Sequence, residues 1–103
     1  MVEIRQSEAF ADWFANLADK RARARIAARI ERMRDGNYGD AKSVGDGVHE
    51  LRLYFGPGYR LYFAMRGDTL VILLCGGDKG SQAKDIARAK ALAAEIEDGQ
   101  PWH

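Results

Sequence analysis

The fold of this chain is decided by residues 48–65, Val48-His49-Glu50-Leu51-Arg52-Leu53-Tyr54-Phe55-Gly56-Pro57-Gly58-Tyr59-Arg60-Leu61-Tyr62-Phe63-Ala64-Met65. Apolar and polar residues alternate on both sides of the Gly-Pro-Gly triplet, which is typical of two antiparallel strands joined by a tight turn. Because side chains on a strand point alternately to opposite faces, Leu51, Leu53 and Phe55 are predicted to share one apolar face. Pairing Phe55 with Tyr59 extends that face along the second strand.

The opposite face of the predicted hairpin carries Arg52, Tyr54, Arg60 and Tyr62. In the same register, Tyr54 lies opposite Arg60, and Arg52 lies opposite Tyr62. Arginine binds phosphate through two N–H groups, and both residue types stack on unpaired bases. The pattern suits an RNA-binding surface, but arginine and tyrosine are more often found on a solvated sheet face without any ligand, so the pattern alone does not establish RNA binding.

Length and composition are those of one globular domain. The 103 residues are 47% hydrophobic and 30% charged, enough for one core, so we predict a single domain over residues 1–98 with a short tail at 99–103. No apolar run approaches the ~20 residues of a membrane span, and no secretory signal is evident at the N-terminus. The one cysteine, Cys75, has no cysteine partner for a disulfide or metal site. A cytoplasmic protein without a membrane association is expected.

Charge is concentrated in one predicted helix. The net charge is only +1, but residues 20–34 hold seven lysines and arginines and a single acid. Arg21 and Arg25 lie on one face of this helix and could bind RNA phosphates. They could equally pair with Asp12, Asp19 or an acidic segment of a partner, and the pattern does not decide between these alternatives.

The remaining patterns complete the predicted topology. The further elements are a strand over residues 2–5, helices over 8–18 and 20–34, a connecting loop over 36–47, an apolar strand over 69–75 and a helix over 82–97. The apolar strand is expected to be central and covered on both faces. The order β-α-α-β-β-β-α predicts an α+β fold, with a mainly antiparallel four-stranded sheet and helices packed on one face. Arg52, Tyr54, Arg60 and Tyr62 would lie on the open face.

Several segments of the chain together resemble the RelE/ParE superfamily of bacterial toxin–antitoxin toxins, most closely its HigB-like branch of addiction-module killer proteins. The segments are residues 10–17, 21–26, 36–40, 47–52, 56–63, 73–79 (Leu-Leu-Cys-Gly-Gly-Asp-Lys) and 82–86. The likeness extends over about residues 2–95. It implies a RelE-like fold and a toxin held inactive by a cognate antitoxin, often a helix-turn-helix protein. The freed toxin would enter the ribosomal A site and act as a ribosome-dependent mRNA endoribonuclease, or mRNA interferase.

The resemblance also assigns roles to individual residues. Arg52 and Arg60 match the sheet arginines of the family, and Lys79 matches the lysine of its Gly-Gly-Asp-Lys motif, so these three are the predicted catalytic residues. The predicted RNA contacts are Tyr54, Tyr62, Gln82, Lys84, Arg21 and Arg25. A metal-independent ribonuclease of this kind uses the ribose 2′-hydroxyl as nucleophile and needs no cofactor, and cations stabilise the charge that gathers on the phosphoryl oxygens.

The groups that move protons stay open at this point. His49 is predicted on the apolar face and His103 lies in the tail, which leaves Tyr54, Tyr62 or Lys79 for proton transfer. Cleavage of free RNA is therefore expected to be slow or absent.

A second class of function fits the same fold. ParE-like toxins inhibit DNA gyrase by binding it, with no chemistry of their own, so fold alone does not decide. The three predicted catalytic cations favour RNA cleavage over this alternative. A phage-derived remnant that only binds an antitoxin is a third possibility.

Overall fold

Residues 2–97 are described by a computed structural model, and the predicted tail at 99–103 lies outside the described residues. The elements are β1 (Glu3–Gln6), α1 (Glu8–Ala15), α2 (Lys20–Arg34), β2 (Ala41–Gly45), β3 (Val48–Arg52), β4 (Arg60–Arg66), β5 (Leu70–Gly77), a single 3-10 turn (Lys79–Ser81) and α3 (Gln82–Glu97). Helices α2 and α3 match the predicted bounds. Helix α1 is shorter than predicted, and its C-terminal end is capped by Asn16.

The strands form one open sheet in the order β1-β5-β4-β3-β2. Strand β1 is parallel to β5, and every other neighbouring pair is antiparallel. The predicted α+β class and mainly antiparallel sheet are confirmed. The predicted count of four strands is wrong, because β2 adds a fifth strand at one edge.

Strand β2 lies in the segment that was predicted to be a connecting loop. Its residues are half-buried or exposed, and the ladder is irregular between Ser43 and Gly45, so no apolar alternation marks it. Asp46 and Gly47 join β2 to β3 with φ angles of 56° and 77°. Two consecutive positive φ angles at Asp-Gly are those of a two-residue hairpin turn, and this dipeptide is the sequence signal for β2.

The hairpin of β3 and β4 has a different register from the predicted one. Arg52 pairs with Arg60 and Glu50 pairs with Tyr62, a shift of two residues. The connection is longer than a Gly-Pro-Gly turn, since the Leu53 N–H still donates to the Tyr59 carbonyl at 3.0 Å. A shift of two leaves every side chain on its predicted face, because side chains alternate with a period of two.

Helices pack on both faces of the sheet, so the prediction that one face is open is wrong. Helices α1 and α2 cover an apolar core of which the central members are Phe10, Ile26, Met33, Leu51, Leu61, Phe63 and Val71. Helix α3 covers the other face through Ala89 and Ala93, which contact a second core of Val48, Tyr62, Ala64, Ile72, Leu74 and Cys75. Strand β5 is apolar on both faces and requires cover on both sides.

Two glycines at the end of β5 let helices approach the sheet closely. A Cβ atom on Gly76 would lie 2.4 Å from the Trp13 ring of α1, and one on Gly77 would lie 1.8 Å from Oδ2 of Asp85 in α3. Gly-Gly at this position is therefore a packing requirement on both faces.

Among the described residues, no helix has the length and apolar character needed to cross a membrane.

Candidate functional site

The predicted catalytic residues meet at one end of the sheet. Arg52 is the last residue of β3, Arg60 is the first residue of β4, and Lys79 begins the 3-10 turn that follows β5. These three line a groove of about 730 Å³ together with Tyr54, Gln82 and residues 53 and 55–59. The structure therefore brings all three predicted catalytic residues and two predicted RNA contacts, Tyr54 and Gln82, to one groove.

A buried carboxylate, Glu50, holds the two arginines in place. Its Oε1 atom lies 3.2 Å from Nε of Arg52 and 3.5 Å from Nη1 of Arg60. Its Oε2 atom accepts hydrogen bonds from the Tyr62 hydroxyl at 3.1 Å and from Nε2 of Gln82 at 2.9 Å. Glu50 is fully buried, and the sequence reasoning did not assign it any role.

Glu50 remains ionised in this environment. Burial raises the pKa of Glu50. The hydrogen bonds from Gln82, Arg52 and Tyr62, together with the charge of Arg60, lower this pKa by a larger amount. The pKa of Glu50 therefore lies below its ordinary value. The hydrogen bonds to Glu50 and Tyr54 raise the pKa of Arg52. Two guanidinium groups face one carboxylate, which leaves one positive charge in excess at the groove.

Arg60 is the more enclosed of the two arginines, with a side chain that is 11% exposed against 32% for Arg52. Within residues 2–97, its buried Nε atom has no hydrogen-bond partner. Arg52 consequently presents more of its guanidinium to solvent, while Arg60 is fixed at the floor of the groove.

Lys79 adds a second positive charge from a turn with a defined geometry. The Asp78 side chain accepts hydrogen bonds from the N–H groups of Gly80 at 2.8 Å and Ser81 at 3.2 Å. The Ser81 hydroxyl accepts one in return from the Asp78 N–H, which completes a capping box. Lys79 is exposed and makes no ion pair with any side chain that the structure describes, those of residues 2–96. Its ammonium group is thus available to a ligand.

The rim of the groove carries aromatic side chains. Tyr54 is 77% exposed, and its hydroxyl donates a hydrogen bond to the Asp40 carboxylate. The Arg25 guanidinium of α2 lies 4.9 Å from the centroid of the Phe55 ring. This cation–π contact brings one predicted RNA contact of the basic helix to the edge of the groove.

Three other predicted RNA contacts lie elsewhere. Tyr62 was predicted on an open face, but it is fully buried beneath α3 and cannot stack on a base from solvent. Burial and the neighbouring Glu50 raise the pKa of Tyr62, which also argues against it as a proton acceptor. Arg21 and Lys84 are exposed but do not line the groove.

His49 and Cys75 lie outside the groove. The His49 ring stacks on Phe63, with ring centroids 5.3 Å apart, as expected for a residue on the apolar face. Cys75 is buried, and burial, with a smaller contribution from Asp85, raises its pKa to about 12. Among the described side chains, those of residues 2–96, no group of three or more histidine, cysteine, aspartate and glutamate residues is placed to hold a metal.

Comparison with known proteins gives two matches that cover most of the chain. A family model described as phage derived protein Gp49-like (DUF891) matches residues 12–97. An uncharacterized protein of Haemophilus influenzae is 50% identical over 95 residues, which are 92% of this chain and 96% of that protein. Both matches include the residues that line the groove.

Proposed function

Because the chain belongs to the Gp49-like family of phage-derived proteins, which is associated with toxin–antitoxin modules and related to RelE-like toxins, we propose that it is the toxin of such a module. Its target is messenger RNA, which it cuts on the ribosome. A cognate antitoxin, a helix-turn-helix protein, neutralises it. The observation that carries the proposal is the set of three cations, Arg52, Arg60 and Lys79, around one groove.

In the proposed reaction the RNA supplies the nucleophile and the chain supplies the cations. The ribose 2′-hydroxyl attacks the adjacent phosphorus, the bond from phosphorus to the 5′-oxygen breaks, and a proton moves from the nucleophile to the leaving oxygen. Negative charge gathers on the phosphoryl oxygens in the transition state. Because Glu50 holds Arg52 and Arg60 before the substrate arrives, little reorganisation is needed to stabilise that charge.

Lys79 is the cation best suited to respond to the transition state. Its exposed ammonium group can approach either the phosphoryl oxygens or the leaving oxygen. With Tyr62 buried, Lys79 and Tyr54 are the remaining candidates for proton transfer among those predicted. Alignment of the message by the ribosome supplies much of the rate, so cleavage of free RNA is slow.

The proposal is tested by expressing the chain alone in a bacterium, recording growth and mapping the 5′ ends of cellular mRNA by primer extension. We expect growth arrest and new 5′ ends in translated messages. Lys79→Ala should lower cleavage by about 10²–10³-fold, the cost of losing one transition-state donor. Lys20→Ala removes an equal charge from an exposed position outside the groove and should leave cleavage unchanged.

The same experiment separates the proposal from gyrase inhibition. Intact mRNA together with gyrase-linked DNA breaks would contradict RNA cleavage and favour a ParE-like toxin. Growth that is unaffected by expression would favour a remnant without toxicity. Rescue of growth by a co-expressed helix-turn-helix protein would identify that protein as the antitoxin.

A further inference from the structure

Tyr54 differs from every other large apolar or aromatic side chain among the described residues. It is 77% exposed, and no other large hydrophobic residue from 2 to 97 is exposed. It lines the groove beside Arg52, and its hydroxyl is bound by Asp40. An aromatic ring that is both exposed and held by a hydrogen bond at its far end has a defined orientation, which a free surface tyrosine lacks.

The charges along this end of the sheet follow a fixed order. Lys79 follows β5, Arg60 begins β4, Arg52 ends β3, and Asp40 immediately precedes β2. Along the strand ends, three cations are thus followed by Asp40, while Glu50 is buried beneath the two arginines and the Asp78 carboxylate is bound by the N–H groups of Gly80 and Ser81. Neighbouring strands lie ~4.8 Å apart, so Asp40 is roughly 14 Å across the sheet from the end of β5.

This order of charges determines where the phosphate and the nucleobase of a bound nucleotide can lie. A phosphate is attracted to the Arg60–Lys79 side of the groove and repelled near the Asp40 carboxylate. A nucleobase carries no formal charge and can lie at the Asp40 side, where the Tyr54 ring offers an aromatic surface. Stacking of a base on an aromatic side chain does not depend on which base is present.

We propose that Tyr54 is the platform of a nucleobase subsite for single-stranded RNA, next to the phosphate position, and that Asp40 is the residue that positions its ring. The inference rests on the proposed function, because it takes RNA as the ligand of the groove. Asp40 acts through the Tyr54 hydroxyl and does not itself contact the base. The backbone supports the same arrangement, since the Arg52 N–H donates to the Asp40 carbonyl at 3.0 Å.

Abasic RNA tests the stacking contact directly. The probe is a fluorescein-labelled heptauridine with methylated 2′-hydroxyls, which cannot be cut, and a matched series carries one abasic nucleotide at each position in turn. Binding to the full chain is followed by fluorescence anisotropy at low salt. We expect Tyr54→Ala to weaken binding of the intact probe roughly tenfold to hundredfold. For one member of the abasic series, the same substitution should have no effect.

The positioning role of Asp40 is tested by combining substitutions. Tyr54→Phe keeps the ring but removes the hydroxyl, and Asp40→Ala removes its acceptor. Asp40→Ala should weaken binding by a modest factor, about threefold, and Tyr54→Phe, which also removes the hydrogen bond from Arg52, should weaken it at least as much. The double variant should bind no more weakly than Tyr54→Phe alone. Asp40→Asn keeps an acceptor oxygen and should restore most of the affinity. Thermal melts followed by circular dichroism confirm that each variant is folded.

Three outcomes would overturn the inference. If Tyr54→Ala weakens binding of every abasic probe as much as that of the intact probe, Tyr54 contacts the backbone and not a base. If Asp40→Ala and Asp40→Asn both strengthen binding, Asp40 only repels RNA. If the unsubstituted protein binds no probe, the inference fails. If Lys79→Ala also leaves mRNA cleavage in the expressing cell unchanged, the proposed function fails with it. Failure of the inference alone leaves the loss of mRNA cleavage in Lys79→Ala intact.

Discussion

The two faces of the sheet are both covered by helices, but their buried residues differ in kind. Beneath α1 and α2 the buried cluster is apolar and includes large residues such as Phe10 and Phe63. Beneath α3 the helix contributes small residues, Ala89 and Ala93, and the buried groups include Glu50 and Asp85. The first face is built as an ordinary hydrophobic core, and the second contains a polar network.

The two faces therefore contribute differently to stability and to the geometry of the groove. The apolar face stabilises the sheet through burial, which is non-directional. The polar network fixes directions, because Glu50 bonds simultaneously to groups on β3, β4 and α3. Stability is therefore expected to depend on both faces, whereas the geometry of the groove depends on the second one alone.

The largest effect is expected from Glu50→Ala. The substitution leaves the Arg60 guanidinium enclosed without its carboxylate, and it removes the acceptor of Tyr62 and Gln82. Breaking a buried ion pair by removing one partner costs about 3–5 kcal/mol. The free energy of unfolding from urea titration followed by circular dichroism measures this loss, and RNA cleavage should fall as well.

The matched control for this prediction is Glu31→Ala. Glu31 pairs with Arg34 on α2, but its side chain is exposed, so the substitution should cost less than ~1 kcal/mol. Similar losses for the two variants would mean that the buried network contributes no more than a surface ion pair.

A core substitution on the apolar face should affect stability without affecting the groove. Leu73→Ala removes a buried side chain of β5 from the first cluster and should cost about 2–5 kcal/mol through the cavity that it leaves. Cleavage per folded molecule, measured at a temperature where the variant is fully folded, should equal that of the unsubstituted protein. A loss of intrinsic activity comparable to that of Glu50→Ala would remove the distinction between the faces.

The dependence of stability on pH should be smaller than either substitution effect, since burial offsets part of what the hydrogen bonds to Glu50 supply. The pKa of Glu50 in the folded protein lies below its ordinary value of 4.5. Its contribution to stability is therefore fully present above pH 4.5 and is lost as the pH falls through the folded-state pKa. Urea titrations at several pH values should show the difference between the unsubstituted protein and Glu50→Gln shrinking in acid. A constant difference at every pH would assign the effect of Glu50→Gln to packing.

The sequence was sufficient to predict the faces of the hairpin but not its register. Alternation fixes which side of the sheet Leu51 or Arg52 occupies, because it depends only on parity. The register depends on the conformation of the loop between β3 and β4, and Gly-Pro-Gly is compatible with more than one loop length. The three predicted catalytic cations lie together despite this error, since a shift of two residues keeps them on the same end and face.

Glu50 could not be predicted because a glutamate in an alternating strand is ordinarily solvent-facing. Its burial depends on α3, which was predicted with the correct bounds but on the wrong side of the sheet. The apolar strand over residues 69–75 could have indicated that α3 covers the second face. A strand that is apolar on both faces needs cover on both, so a helix had to lie over the face that carries Glu50 and Tyr62.

The smallest and most selective effect should come from the residues that cap a helical segment on each face. The Ser7 hydroxyl accepts a hydrogen bond from the Phe10 N–H of α1 at 3.0 Å, and Asp78 caps the turn that begins with Lys79. Asp78→Ala should cost about 1 kcal/mol of stability. Ser7→Ala should cost about 2 kcal/mol, because the Ser7 hydroxyl also donates a buried hydrogen bond to the Leu74 carbonyl. Only Asp78→Ala should also lower cleavage per folded molecule, because it releases the turn that positions Lys79. Asp78→Asn keeps the acceptor and should restore activity, whereas equal activity losses for Ser7→Ala and Asp78→Ala would show that the two faces contribute alike to the groove.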